Sequence, residues 1–325
     1  MSFTGSASAR ARFSRRSLVK LGLSAAALGL TLERTLPARA ATRVVRIGFQ
    51  KYGALILLKG RGLLERQLKP LGYDVQWVEY PAGPQLLAGL NDGAIDFGAT
   101  GEAPPIFAQA AGTPLVYVAH EPPAPQGEAI LVQKNSAIRS LAELKGKKIA
   151  LNRGSNVHYL LVRALEKAAI AYSDVETVFL PPDDARRAFD HGSVDAWAIW
   201  DPYQAAAETT IGASTLVNGE GLVSNHQFYL ASRNFVAGHQ QVVDAIIAAI
   251  GELDDWANGN TEEVAAELSR EIGFPADVLK IALGRQSYGV KPLSSAVVAE
   301  QQKVADAFLA LKLIPSRIII ADAVR

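Results

Sequence analysis

Asn91-Asp92-Gly93-Ala94-Ile95-Asp96-Phe97 is echoed further along the chain by Asp190-His191-Gly192-Ser193-Val194-Asp195-Ala196. In both, a helical pattern ends, a glycine stops it, and a strand opens on a small residue, a β-branched residue and Asp. A second pair lies in the same order. Arg46-Ile47-Gly48-Phe49-Gln50 and Lys148-Ile149-Ala150-Leu151-Asn152 each read as a strand that ends in an amide side chain just before a helix. Two echoes in one order predict two lobes built to one plan.

Outward from these stretches, short β runs alternate with helical patterns, the signature of an α/β fold with a largely parallel sheet. The spacing predicts one helix over Ala54–Leu68 and strands over Ile95–Ala99 and Val194–Ile199. After Asn234 the pattern is almost entirely helical. Residues 41–133 are expected to form the first part of lobe one, 134–228 lobe two, and 229–325 a helical return onto lobe one. Two hinge crossings, near Ile130–Val132 and Tyr229–Ala231, would join the lobes around a cleft that can close.

The chain has 325 residues, 49% hydrophobic and 20% charged, which suits a two-domain globular protein. It has no cysteine. That excludes disulfides, thiolate metal sites, a cysteine nucleophile and a lipoprotein anchor. The net charge of +1 conceals an uneven distribution. Residues 1–40 hold seven Lys/Arg and one acid, Glu33, leaving 26 basic and 31 acidic residues in the remainder, a net of −5. A net-acidic remainder argues against general nucleic-acid binding.

Those first 40 residues read as a cleaved export signal. Arg10 to Lys20 is basic, Leu21–Leu32 is uncharged, and Leu36-Pro37-Ala38-Arg39-Ala40 offers an A-x-A cleavage site. The apolar run falls short of the about 20 residues a membrane span needs. Ser14-Arg15-Arg16-Ser17-Leu18-Val19-Lys20 resembles the twin-arginine signal, with an ordinary signal carrying a chance Arg pair as the alternative. The expected destination is the periplasm, as a soluble protein without a lipid anchor.

In open α/β sheets ligands sit beyond the carboxyl ends of the strands. Gln50 and Tyr52 follow the first strand, and Thr100-Gly101 precede a helix whose first turn carries Pro104-Pro105. Gly154-Ser155-Asn156 precede a strong helix, with His158 on it. Trp200-Asp201 precede Pro202. Helix N-termini converging from two lobes favour an anion. Trp200 and its aromatic neighbours could line a pocket for a ligand tail. Glu128, after Gly127, opens the first hinge strand and reads as cleft-facing. The five histidines show no metal spacing, and there is no G-x-S-x-G, P-loop or G-x-G-x-x-G. No catalytic residue, metal or cofactor is therefore expected.

Val44–Gln50, Glu79–Pro84, Gly93–Pro105, Gly127–Leu131, Lys145–Tyr159 and Asp195–Tyr203 together resemble the periplasmic aliphatic sulfonate-binding components of ABC importers. That larger family includes taurine-, nitrate- and thiamine-precursor-binding proteins. The resemblance implies the type II periplasmic binding fold, two α/β lobes joined by two crossings. It implies a sulfonate held by backbone N–H groups and neutral side chains at Gln50, Thr100, Gly101, Glu128, Ser155, Asn156, Trp200 and Asp201. Ser224 and Gln227, just before the second crossing, are added to that set. The expected partners are a small sulfonate anion and an inner-membrane ABC permease, and capture followed by handover suits a monomer. A same-fold protein for taurine, nitrate, bicarbonate or a thiamine precursor is one alternative. An exported cofactor-dependent enzyme is the other. Glu128 and Asp201 pose a difficulty, since a buried carboxylate beside a sulfonate is costly. They must point away, pair with N–H groups, or meet a cationic part of the ligand.

Overall fold

The computed structural model describes residues 43–51 and 53–325. The export signal and Tyr52 lie outside the described residues. Ten strands form two five-stranded sheets. The first contains β1 (Arg43–Phe49), β2 (Tyr73–Glu79), β3 (Phe97–Gly101), β4 (Leu115–His120) and β10 (Gln227–Ser232), in the order β2-β1-β3-β10-β4. The second contains β5 (Glu128–Val132), β6 (Lys148–Leu151), β7 (Glu176–Phe179), β8 (Ala196–Trp200) and β9 (Ser214–Asn218), in the order β7-β6-β8-β5-β9. The plan is the same in both. Three parallel strands are followed by one antiparallel strand that the crossing delivers.

The echoed residues explain why. The Arg46 N–H donates to Asp96 Oδ2 at 2.9 Å, and the Asp96 N–H donates back to the Arg46 carbonyl at 2.8 Å. Lys148 and Asp195 make the same reciprocal pair, at 2.8 Å in both directions. Each Asp therefore pins the start of its strand to the neighbouring parallel strand. Gly93 and Gly192 end the preceding helices with φ of 69° and 68°, a left-handed turn that favours glycine. Ala94 N–H then donates to the Gly89 carbonyl, and Ser193 N–H to the Ala188 carbonyl. This turn uses up two residues expected in the strands, so β3 and β8 begin at Phe97 and Ala196 rather than at Ile95 and Val194.

Helices cover both faces of each sheet. On the first sheet, Val45, Ile47 and Tyr229 meet α1 (Ala54–Arg61), α2 (Leu63–Leu68), α8 (Arg233–Gly238), α9 (Gln240–Gly259) and α10 (Thr261–Ile272). Tyr117, Phe228 and Leu230 face the other way, onto α3 (Gly83–Asn91), α4 (Ala103–Ala110) and α12 (Ser295–Ala310). On the second sheet, Ile130, Ile149 and Ala198 meet α5 (Asn156–Lys167), and Leu131, Trp197 and Ile199 meet α6 (Pro182–Asp190) and α7 (Tyr203–Thr210). Residues alternate between faces as a pleated strand requires. Strands buried on both faces read as nearly continuous apolar runs.

Three expectations are corrected. The helix over Ala54–Leu68 is two helices, because Gly62 takes a left-handed φ of 59° that an α-helix cannot include. The first crossing is complete before Glu128. β5 pairs with β8 and β9, so residues 128–132 belong to the second sheet and not to 41–133. The helical return does not pack on lobe one alone. α11 (Ala276–Leu283) sets Val278 and Ala282 against Ala205 and Ala206 of α7. The edge strand β9, half-exposed and short, was not foreseen.

The crossings, 121–127 and 219–226, run side by side. Glu121 N–H donates to Gln227 O at 2.8 Å, Ala124 N–H to Ser224 O at 3.1 Å, and Gly219 N–H to Pro125 O at 2.9 Å.

Candidate functional site

A cavity of about 30 Å³ lies where the parallel strands of both sheets end. A space of this kind needs about 10–15 Å³ per water, so it takes a few waters or one small polar group. The first half contributes Gln50 after β1, Gly83 at the start of α3, Gly101 at the end of β3, and Pro104 in the first turn of α4. The second half contributes Ser155, Asn156 and Trp200. The second crossing contributes Asn225, His226 and Gln227. Among the described residues that line it there is no Lys, Arg, Asp or Glu.

Three helix N-termini meet here without side-chain caps. α3 starts from Ala82, α4 from Glu102 and α5 from Ser155, and none of these side chains caps its helix. Ser155 Oγ turns away and donates to the Asn152 carbonyl at 2.7 Å. The first N–H groups of a helix have no partner within it, and the helix dipole adds positive potential at the same place; at α4 only the dipole remains, because Pro104 and Pro105 have no N–H and the Ala103 N–H is taken by Asn156. The halves touch across the cavity. Asn156 Oδ1 accepts from the Ala103 N–H at 3.4 Å, and Asn156 Nδ2 donates to Asn225 Oδ1 at 2.5 Å. Asn225 Nδ2 donates in turn to the Ala124 carbonyl at 2.8 Å, anchoring the chain of amides in the hinge. Gly101 is required here because a Cβ would stand 1.9 Å from Asn156 Nδ2.

Gln227 carries an unused valence. Its side chain is 5% exposed and lines the cavity, yet among the described residues neither Oε1 nor Nε2 has a partner. A buried amide left unpaired costs about 1–3 kcal/mol. Gln50 Nε2 is fixed by the Ala99 carbonyl at 2.9 Å.

Gln50, Gly101, Ser155, Asn156, Trp200 and Gln227, all singled out in the sequence, are thus brought together. The others stand behind the wall. Thr100 is buried and donates its hydroxyl to the Gly101 carbonyl at 3.0 Å. Gly154 packs against Phe107, and its N–H donates to His158 Nδ1 at 3.1 Å. His158 is fully buried, within ring contact of Phe107, Phe179 and Phe308, and its Nε2 meets the Tyr172 hydroxyl at 2.7 Å. Burial, aided by Arg153, pushes its pKa down to about 4. His158 orients the loop before α5 and does not reach the cavity. Ser224 faces an outer groove, where its hydroxyl donates to Glu300 at 3.3 Å.

The two acids resolve differently. Asp201 turns back from the cavity. Its Oδ1 accepts from the Ala205 N–H at 3.0 Å, and Arg285 stands 3.4 Å from Oδ2. Burial raises its carboxyl to about 6, with Arg285 opposing the rise. Asp201 is therefore not placed to read a ligand amine. Glu128 is fully buried with neither oxygen partnered, and burial together with nearby Glu102 raises it well above the usual carboxylate range. The shift favours the uncharged form, and no N–H or cation meets the carboxyl among the described residues. Glu102 is likewise raised by burial, to about 7.

Gly83, Pro104, Asn225 and His226 were not assigned from the sequence. Gly83-Pro84 is the same helix-start signal that drew attention to Pro104-Pro105. Asn225 and His226 sit in a crossing whose path no local pattern reveals.

Residues 69–263 match the family described as NMT1/THI5 like. Among solved structures, the alkanesulfonate-binding protein SsuA from Xanthomonas axonopodis pv. citri, bound to MOPS, superposes with a TM-score of 0.85 at 41% identity, covering 88% of this chain and 99% of that one. The periplasmic aliphatic sulphonate binding protein SsuA from Escherichia coli superposes with a TM-score of 0.79 at 42% identity, covering 87% and 92%. A taurine-binding periplasmic protein from Escherichia coli (strain K12) is 26% identical over 219 residues, 64% of this chain and 67% of that one. The two-lobed architecture is that of these periplasmic binding proteins.

Proposed function

The chain belongs to the NMT1/THI5-like family, and we propose that it captures organosulfonate anions and delivers them, without chemistry, to an ABC import permease. The carrying observation is the cavity's wall: three helix N-termini, polar amide and hydroxyl side chains, and no Lys, Arg, Asp or Glu among the described lining residues. A sulfonate is a permanent anion with three acceptor oxygens. Each helix terminus contributes about 0.3–1 kcal/mol, and more when partly buried. The Gln227 amide supplies a further donor. The cavity's size suits the head group alone, so the rest of the ligand must leave past Trp200. The 41–42% identity to sulfonate binders supports this class over the more distant taurine binder.

Ligand contacts from both halves would favour the closed state and shift the population toward it. In this reading the protein works in the periplasm as a monomer, after removal of residues 1–40. Among the described residues no helix is long and apolar enough to cross a membrane.

The test is a thermal-shift panel in Tris, because sulfonate buffers would occupy the site. Alkanesulfonates, taurine, sulfate, nitrate and a pyrimidine precursor would be compared. A ligand at a hundredfold excess over its Kd stabilises by about 2.7 kcal/mol. Sulfonates are expected to raise the midpoint, and Ser155→Glu to abolish the rise by placing a like charge at the α5 terminus. A shift with nitrate or the pyrimidine precursor, and none with any sulfonate, would overturn the assignment.

A further inference from the structure

The sulfonate cavity adjoins a second chamber. Gln50 and Trp200 line both, and the second is the larger, about 160 Å³ against about 30 Å³. A tail attached to a sulfonate head has this space to enter. Its wall is not the apolar one that an alkyl chain would select. Beyond Trp200 and Pro81 it is made of Lys51, Glu79, Tyr80, Asp183 and Tyr203.

The charges are unevenly shared. Glu79 ends β2 in the first half, and Asp183 stands in the first turn of α6 in the second. Lys51 is the one cation of the lining among the described residues, 3.9 Å from Glu79. Asp183 has no cation and instead accepts from the Tyr203 hydroxyl at 3.0 Å. Tyr203 registers both acids. Its phenol is raised by burial and, next, by the fields of Asp183 and Glu79. Two carboxylates from opposite halves thus face one chamber, and one ammonium cannot balance both. Bringing the halves together there is opposed by like charge, unless the ligand supplies a cation.

Building on the sulfonate reading above, we propose that this chamber receives a cationic tail, so that the preferred ligands are zwitterionic sulfonates with an amine distal to the sulfonate. The head sits at the helix N-termini, the connecting carbons pass Trp200, and the ammonium lies between Glu79 and Asp183. The indole face of Trp200 offers a cation–π contact on the way. A tail that reaches both acids links the two halves and favours closure.

The experiment is titration calorimetry on the full chain in low-salt Tris. Each alkane-1-sulfonate of two to six carbons is paired with the ω-amino-alkane-1-sulfonate of the same length. Both acids are exposed, so the gain is that of surface ion pairs, about fivefold in Kd at the lengths that reach the chamber. The gain should shrink as salt is added. In the Glu79→Gln/Asp183→Asn double variant the amino advantage should vanish, and plain alkanesulfonates, no longer opposed at closure by the two acids, should bind as tightly as before or more tightly. Asn at 183 keeps an acceptor for Tyr203, so the fold is retained. Equal or weaker binding of the amino series at every length, or an advantage that survives in the double variant, would overturn the proposal. Failure of both series to bind would overturn the sulfonate reading instead.

Discussion

Gly101-Glu102 and Trp200-Asp201 occupy equivalent places, each just past the last parallel strand of its half. The strands start from the same Asp clamp, at Asp96 and Asp195, and lead into the next helix after one residue (Glu102) in the first half and two (Asp201-Pro202) in the second. Past the strand end the two halves diverge. The first half presents bare backbone, because a side chain at 101 would strike Asn156. The second presents an indole. Behind them, Glu102 meets backbone N–H groups of His226, at 3.3 Å, and Asn225, with no ion pair among the described residues, whereas Asp201 has Arg285. Burial raises both, Glu102 to about 7 and Asp201 to about 6, by similar amounts from their different ordinary values. One framework, used twice, thus places a backbone anion seat opposite an aromatic gate.

The most severe way to break this comparison is to make the first half resemble the second. Gly101→Val should abolish sulfonate binding, a loss of more than about a hundredfold, because the added atoms take the space of the Asn156 amide. Calorimetry reads the loss, and the unligated melting temperature reports whether the fold survives.

The raised acids predict a pH effect. A carboxyl raised in the folded state binds more protons there than in the unfolded chain. Its contribution is present below the unfolded value near 4.5 and is lost as pH rises through the folded value. For Glu102 the window runs from about 4.5 to about 7, a loss of order 3 kcal/mol. Denaturant melts at pH 5 and pH 8 should show it, and Glu102→Gln should remove it. Asp201→Asn should flatten only the portion below about pH 6. Any slope that remains near pH 8 is shared by Glu121, raised by burial and by Asp254 to about 8 in the hinge, and Glu128, raised well above the usual range.

The clamps can be compared directly. Asp96 holds the Arg46 guanidinium as well as its N–H, with Arg46 Nη2 at 2.7 Å, whereas Asp195 holds only the Lys148 N–H among the hydrogen bonds of its carboxylate. Asp96→Ala should cost about 2 kcal/mol and Asp195→Ala about 1 kcal/mol in urea melts. Equal costs would mean that the half-exposed guanidinium adds nothing.

Much of the fold was legible in the sequence because its cues are local. A glycine in a left-handed turn, an Asp three residues later and a run of apolar residues act within a few positions of one another. The echo could be read for the same reason, since Asp96 and Asp195 sit at the same offset from Gly93 and Gly192. The site was legible where a helix start presents backbone or a small polar residue, as at Gly101, Ser155 and Asn156. The sequence could not give the directions of His158 and Asp201, whose residue types suggest ligand contact but whose orientation depends on distant partners.

The sequence by itself determined the order of elements, the two-lobed plan and the strand ends where a ligand would sit, since backbone path follows from local periodicity and turn chemistry. Only the tertiary structure decided which side chains face the cavity. Arg285 turns Asp201 away from 84 residues along the chain, Phe308 helps enclose His158, and the second crossing brings in Asn225, His226 and Gln227. Side-chain direction is set by burial and by partners far apart in sequence, and no local pattern carries that information.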